Sequence, residues 1–321
     1  MPELIRGNHH LTFCVGPAQE DYDFHTRTLG LRSIKKTALY DGQAPVYHLY
    51  YGNGEGDPGT ILTSFPFRQQ GVVGKRGTNQ ISRLNLSVPP EALGFWFARL
   101  REAGIASEEV ELHGTPRLHF SHPCGLPYGL VADGDGDAGR SWEGGGVSAE
   151  HAILGTHGIT VSVAYPEEMT SYLTQGVGAE HTGSAGANER FRLGTGQGRW
   201  IELLHEPDLP PGTWFFGEGT VHHAAYDIGD AESQLQLKAW LEGLGYTDCS
   251  EVKDRGYFMS VYTRTPSGAL FEYAWSKPES WSIDEDPDHL GEQFQIPPVF
   301  ADRASEIMEY LEPLDTGAVV G

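Results

Sequence analysis

The chain is short of positive charge. Its 321 residues hold 22 Lys and Arg against 44 Asp and Glu, a formal net charge of −22. Such a surface repels phosphate backbones and anionic headgroups, so neither nucleic acid nor a membrane is expected as a partner. Cysteine is scarce and odd in number: Cys14, Cys124 and Cys249, with no CxxC pair. That excludes a disulfide framework and a zinc knuckle and fits a reducing interior. No stretch approaches the roughly 20 apolar residues of a membrane span. The opening MPELIRGNHH lacks the apolar run of a signal peptide. A cytoplasmic protein is expected, and whether identical copies assemble into a homo-oligomer stays open.

Glycine, in contrast, is plentiful, with 42 residues in a chain that is 39% hydrophobic. This combination points to a packed protein of many turns and short strands. The order of those strands repeats. HLTFCV leads into a helix from Pro17 to Leu29 that stops at Gly30. SRLNLSV leads into PPEALGFWFARLREAG, in which Leu93, Trp96, Phe97 and Leu100 share a helical face. HGITVSV leads into PEEMTSYLTQGVG, and HHAAYDI into a helix between Asp230 and Gly245, with Leu237 and Leu241 one turn apart. Each copy closes on a strand introduced by glycine: GTILTSF, CGLPYGLV, GRWIELLH and GALFEYAW. A recurrence of about 65 to 75 residues marks a duplicated supersecondary unit.

The repeat divides the chain. Two units fill 1–133, a Gly-rich flexible linker covers 134–149, two more units fill 150–276, and 277–321 form an extension. That extension, IPPVFADRASEIMEYLEPL at its core, reads as a turn and one amphipathic helix with Ile307, Tyr310 and Leu311 on one side. It is expected to pack on a sheet or to cover the mouth of a cup.

The repeat also aligns the residues that could bind a cation. His9-His10 opens the first unit and His222-His223 the fourth, while the third has His157-Gly158. The second position therefore carries imidazole in units one and four only. In the final strands Glu272 stands four residues after Gly268, where unit one has Thr63 four residues after Gly59. His10, His223 and Glu272 thus form a two-His, one-carboxylate set, the pattern that leaves a non-haem iron with open positions. A buried carboxylate in ALFEYAW also needs a partner. For the set to meet, units one and four must share one cup. His157 and Glu202 form a competing pair, read as structural because His157 aligns with His9. His25, His48, His119, His122, His181 and His205 have no such support and are read as structural or solvated.

Units of βαβββ form, paired into two curled, half-open sheets in an α+β arrangement, resemble the vicinal oxygen chelate superfamily. Within it, the chain resembles the ring-cleaving hydroquinone 1,2-dioxygenases, through HHLTFCVG, YDGQAPVYHLYYGN, PGTILTSFPF, IELLHEPD, VHHAAYDI and DRGYFMSVYTRTPSGALFE. The agreement runs from about residue 8 to residue 275. The resemblance implies an Fe(II) site on His10, His223 and Glu272, with Mn(II) a competitor for so hard a site. It places Arg255 and Tyr262 beside the substrate, and His9, Thr12 and His222 around the metal ligands. The implied partners are an aromatic para-diol and O2. Phe65, Tyr257, Phe258 and Phe271 are candidate walls for the ring. The rival readings are a catechol extradiol dioxygenase, a glyoxalase-like isomerase using nickel or zinc, and a metal-free binding module.

Overall fold

The structure is a computed structural model and describes residues 3–40, 44–136 and 140–317. Every repeat unit supplies four strands. Unit one has β1 (Gly7–Val15), β2 (Arg32–Tyr40), β3 (Pro45–Gly52) and β4 (Ile61–Pro66), with the helix α1 (Ala18–Asp23) after β1. Unit two has β5 (Gln80–Ser87), α2 (Leu93–Glu102), β6 (Ser107–Leu112), β7 (Thr115–Ser121) and β8 (Pro127–Val131). Unit three has β9 (Gly155–Val163), α3 (Pro166–Ser171), β10 (Glu180–Ala185), β11 (Asn188–Arg192) and β12 (Trp200–His205). Unit four has β13 (Thr220–Asp227), α4 (Ala231–Gly243), β14 (Lys253–Asp254), β15 (Phe258–Arg264) and β16 (Leu270–Ser276).

The strands form two sheets, and each sheet draws one unit from each half of the chain. One runs β14-β15-β16-β13-β1-β4-β3-β2, so units one and four share it. The other runs β10-β11-β12-β9-β5-β8-β7-β6 and joins units three and two. The central seams are antiparallel pairs, β1 with β13 and β5 with β9. The expected halves 1–133 and 150–276 therefore cross over, and units one and four meet in one sheet as the ligand set requires.

Packing follows the alternation of the strands. Phe271 and Tyr273 point to the helix side of β16, where Phe271 meets Tyr172 and Tyr226, while Glu272 between them points into the cup. Helix α4 lies against that outer side through Leu237 and Leu241, both fully buried, and Gln234 Nε2 donates to the carbonyls of Met259 and Tyr273. On α2 the buried residues are Trp96 and Leu100, and Phe97 is more than a third exposed. The stretch 134–149 is anchored on its described residues: Val147 is buried and Arg99 donates to the carbonyl of Gly145. Its glycines serve close approaches, since a Cβ on Gly145 would lie 2.5 Å from the carbonyl oxygen of Thr26.

The extension wraps the far edge of the first sheet. It adds β17 (Phe294–Gln295) in parallel to β2 and a final helix α5 (Ala304–Tyr310), which buries Ile307 and leaves Tyr310 exposed. Trp281 packs on Tyr50 and Tyr257, and Asp284 and Glu285 pair with the fully buried Lys35. Among the described residues no helix is long and apolar enough to cross a membrane.

Candidate metal centre

The two histidine doublets sit on two β-bulges. Along the β1–β13 seam, Asn8 faces Tyr226 and His10 faces Ala225, so His9 is an extra residue with no partner. Further along, Thr12 faces His223 and Phe13 faces Val221, which leaves His222 as the extra residue of β13. A bulge breaks the strict alternation of a strand and re-aims the inserted side chain. Both members of each doublet can then face one region, which a regular strand forbids.

The geometry of the two doublets is the same. His9 Nδ1 lies 2.9 Å from His10 Nδ1, and His222 Nδ1 lies 2.8 Å from His223 Nδ1. In each pair one nitrogen donates and the other accepts. With His10 and His223 donating from Nδ1, both keep a lone pair on Nε2, the tautomer a metal requires. His9 then carries its proton on Nε2, which donates to Ser276 Oγ at 2.9 Å.

Those lone pairs converge. His10 Nε2 is 3.0 Å from His223 Nε2, and Glu272 Oε2 is 2.9 Å from His223 Nε2 and 3.7 Å from His10 Nε2. A cation at about 2.1 Å from each atom produces edges of this length. The three residues are 2%, 5% and 0% exposed, and Glu272 Oε2 has no hydrogen-bond partner. Ser260 Oγ donates to the other oxygen, Oε1, and so turns Oε2 toward the imidazoles. Burial holds His223 down at about 3, with Arg255 adding to the effect. Burial likewise holds His9 down at about 4 and His10 well below its ordinary value, Glu272 opposing in both. Neutral imidazoles against an unpartnered buried carboxylate oxygen fit a divalent cation.

The predicted neighbours fall around this centre. Tyr262 faces Glu272 across β15 and β16, with its ring 5.6 Å from that of His223. Arg255 Nε donates to the Tyr262 hydroxyl at 3.0 Å, and its guanidinium lies 5.1 Å from the ring centre. The acids that could have claimed Arg255 are engaged elsewhere, Asp254 with Lys277 and Glu251 with Lys238. Burial, reinforced by Glu272, pushes the Tyr262 hydroxyl up, so it stays protonated. Thr12 Oγ1 is 2.9 Å from Thr63 Oγ1, at the position where a fourth ligand would stand.

Two of the four expected wall residues line the centre. Phe258 lies 4.9 Å from His10, and Phe65 lies 5.5 Å from His222. Phe271 points to the helix side, and Tyr257 stands behind the site, donating its hydroxyl to Asp284. His48, read from the sequence as structural, belongs to the site: its Nε2 is 3.1 Å from Thr63 Oγ1, its Nδ1 is 3.0 Å from the Tyr50 hydroxyl, and it packs on Phe65. Ser260, Ser276 and Phe216, whose ring stacks on His222 at 3.8 Å, are further members. The repeat would have pointed to Tyr50, because its register opposite Thr63 matches that of Tyr262 opposite Glu272.

The second sheet repeats the seam with different side chains. Its bulges fall at Ser82 and His157, placing Arg83 and Gly158 where the first sheet has His10 and His223. A Cβ on Gly158 would lie 1.8 Å from the Trp200 carbonyl oxygen, so no side chain fits there. Glu202 keeps the carboxylate position, but Arg117 occupies its neighbourhood at 2.7 Å, both groups being almost wholly buried. Burial alone would raise the Glu202 carboxyl, and the Arg117 guanidinium brings it below its ordinary value. His157 turns away to Asp133, at 2.7 Å. A guanidinium here does the electrostatic task of a metal ion.

A third buried cluster joins Asp21 of α1, His25 one turn later and His122. Asp21 Oδ2 accepts from the hydroxyls of Tyr51 and Ser64 at 2.7 and 2.5 Å, while Oδ1 faces His25 Nδ1 at 3.1 Å and His122 Nε2 at 3.4 Å. His25 Nε2 is 3.0 Å from the Tyr128 hydroxyl and the Cys124 amide donates to His122 Nδ1, whereas His122 Nε2 and Asp21 Oδ1 face each other without a hydrogen bond. This cluster ties unit one to unit two.

Paired βαβββ units curled into two sheets, with a His/His/Glu set on the first and last strands of one, define a vicinal oxygen chelate protein. Glyoxalase I of Zea mays shares the fold at 12% identity and a TM-score of 0.58, over 84% of this chain and 92% of that one. Similarity in sequence is far stronger elsewhere. The chlorohydroquinone/hydroquinone 1,2-dioxygenase of Sphingobium indicum is 40% identical over 96% of each chain. A Bacillus subtilis protein named as a ring-cleaving dioxygenase, MhqO, is 34% identical over 98% of each. A solved dioxygenase structure from the same organism superposes with a TM-score of 0.91 at 33% identity, covering 98% of this chain and 99% of that one. No family model matches the chain. The chain belongs to the family of ring-cleaving dioxygenases.

Proposed function

We propose that the protein is an Fe(II)-dependent dioxygenase that opens the ring of hydroquinone-type para-diols, substituted or not, with His10, His223 and Glu272 holding the iron. The observation that carries this reading is the convergence of three buried, metal-ready donor atoms beside a Tyr262–Arg255 pair, in a chain 40% identical to a hydroquinone 1,2-dioxygenase. Iron(II) held by such a set supplies a Lewis-acidic, redox-active centre with positions open to a phenolate and dioxygen. Manganese competes for the same donors.

The residues of the chain bind and orient the ring. Arg255 donates into the Tyr262 oxygen, so the tyrosine O–H donates outward, toward Glu272 or to a substrate oxygen. The guanidinium beside it balances negative charge developing on that oxygen. Phe258 and Phe65 supply the apolar walls. His9 is spent on Ser276 and holds His10 in place, whereas His222, only partly buried and accepting from His223, presents its own Nε2–H near the mouth. Thr63 in place of a fourth ligand favours oxygen chemistry over a closed isomerase site.

Oxygen uptake by iron-loaded protein, measured with hydroquinone and with catechol, tests the reading. Hydroquinone is expected to be consumed with one O2 per ring, and His223→Ala or Glu272→Ala to lose both bound iron and uptake. Full activity in either variant, or uptake with catechol alone, would overturn it.

A further inference from the structure

Tyr262 and Arg264 stand two residues apart on β15 and therefore on the same face, roughly 6.8 Å from one another along the strand. Beyond Tyr262 that face leads into a cavity of about 410 Å³ lined by Trp214, Phe215, Phe216, His222 and Arg264. His222 belongs to both spaces: it bonds to the ligand His223 on one side and stacks on Phe216 on the other. The cavity thus adjoins the metal centre, with the His222 imidazole as the wall common to both.

Its chemistry is specific. The Arg264 guanidinium lies 4.5 Å from the Trp214 ring centre and 5.3 Å from that of Phe216, and donates from Nη1 to the Gly268 carbonyl. Among the described residues no carboxylate forms an ion pair with Arg264 or with Arg255, and Asp248 acts on Arg264 at longer range. Arg264 lines the cavity with His222, and Arg255 stands on Tyr262, two guanidiniums without an acidic ion-pair partner in a chain of net charge −22. The mouth is a local positive region on an acidic protein, and it draws in anions. Aromatic walls beside a guanidinium that lacks an acidic partner suit a planar group ending in a carboxylate.

We propose that this cavity is a second subsite of the active centre, in which Arg264 receives a carboxylate carried on the substrate ring. The inference rests on the ring-diol reading above and narrows it: the preferred hydroquinones are acidic ones. A ring lying against Tyr262 places a one-carbon side arm toward Arg264, while an uncharged substituent gains only the walls of Trp214 and Phe216.

Calorimetry under anaerobic conditions tests this on the iron-loaded protein, with 2,5-dihydroxyphenylacetate and its methyl ester as probes. The acid is expected to bind about 10-fold more tightly than the ester, the effect of one charge-assisted hydrogen bond. Arg264→Met should bring the ratio to about one, and Arg264→Lys should keep an intermediate ratio that shrinks as salt rises. An ester that binds as tightly as the acid, or an Arg264→Met variant that keeps the 10-fold ratio, overturns the subsite. The oxygen electrode separates the two readings. If neither diol is consumed, the proposed reaction falls while the binding ratio still decides the subsite; if hydroquinone is consumed and the ratio is one, only the subsite falls.

Discussion

Glu202→Gln separates the two cups most cleanly. Arg117 and Glu202 are 0% and 1% exposed on their side chains and 2.7 Å apart, so water screens neither group. Arg117 Nε and Nη1 already lack partners, which leaves Glu202 as the chief compensation for a buried positive charge. Removing the carboxylate's charge should cost about 3–5 kcal/mol, the usual penalty for an orphaned buried ion. That corresponds to a fall of roughly 2 °C in melting temperature per kcal/mol for a chain of this size. Arg117→Met with Glu202→Leu removes both charges and keeps the volume. Thr160 loses its acceptor, at about 1 kcal/mol, so the double variant should lie within ~2 kcal/mol of the parent. Urea unfolding gives both values, and metal analysis gives the control: both variants should bind as much iron as the parent. A Glu202→Gln cost below about 1 kcal/mol, or loss of iron in the double variant, would refute the view that a guanidinium has replaced the metal there.

Ser260→Ala removes the hydroxyl that turns Glu272 toward the imidazoles; iron affinity, read by chelator competition, should fall about 10 to 100-fold while the fold persists. Tyr262→Phe should retain iron and slow turnover by on the order of 10 to 100-fold, and an unchanged rate would remove the tyrosine from the reaction. Asp21→Asn strips charge from a carboxylate that burial would raise but that His25 and His122 carry well below the usual carboxylate range. A carboxyl lowered in the folded state stabilises the protein above its unfolded pKa of about 3.9 and loses that stabilisation as pH falls below it. The parent should therefore lose stability below about pH 4, and the variant, weaker at pH 7 by about 3 kcal/mol, should lose less over the same window. Parallel curves for the two proteins would refute the assignment.

The fold was legible because the pattern repeats: four glycine-introduced final strands fixed the units, and those units appear with four strands each. The grouping of His10, His223 and Glu272 was legible for the same reason, since only alignment between copies singles out His10 rather than His9 as the proposed ligand. The rest was hidden by causes a linear pattern does not carry. His48 lacks a repeat partner of its own type, and only the pairing of β3 with β4 brings it to Thr63. Phe271 and Glu272 are neighbours in sequence, so an apolar residue beside a proposed ligand looked like a wall, although alternation sends it to the helix side. Asp21 is an acid in an ordinary helical position; nothing in its surroundings shows that Tyr51, Ser64, His25 and His122 close on it.

The doublets themselves follow from the seam. Where two βαβββ units join edge to edge, each first strand carries one extra residue, at His9 and His222 in one sheet and at Ser82 and His157 in the other. The bulge can turn two consecutive side chains toward one space, so a ligand can carry its own support in the preceding position. Histidine at both places gives an Nδ1–Nδ1 pair that fixes the tautomer of the second imidazole and leaves its Nε2 able to take a cation. In the second sheet the same positions hold Ser82-Arg83 and His157-Gly158, and the carboxylate of Glu202 that remains needs a cation from elsewhere. Arg117 supplies it. A buried carboxylate on the last strand is common to both seams, and the residue types at the bulge decide whether its positive partner is an exchangeable ion or a side chain.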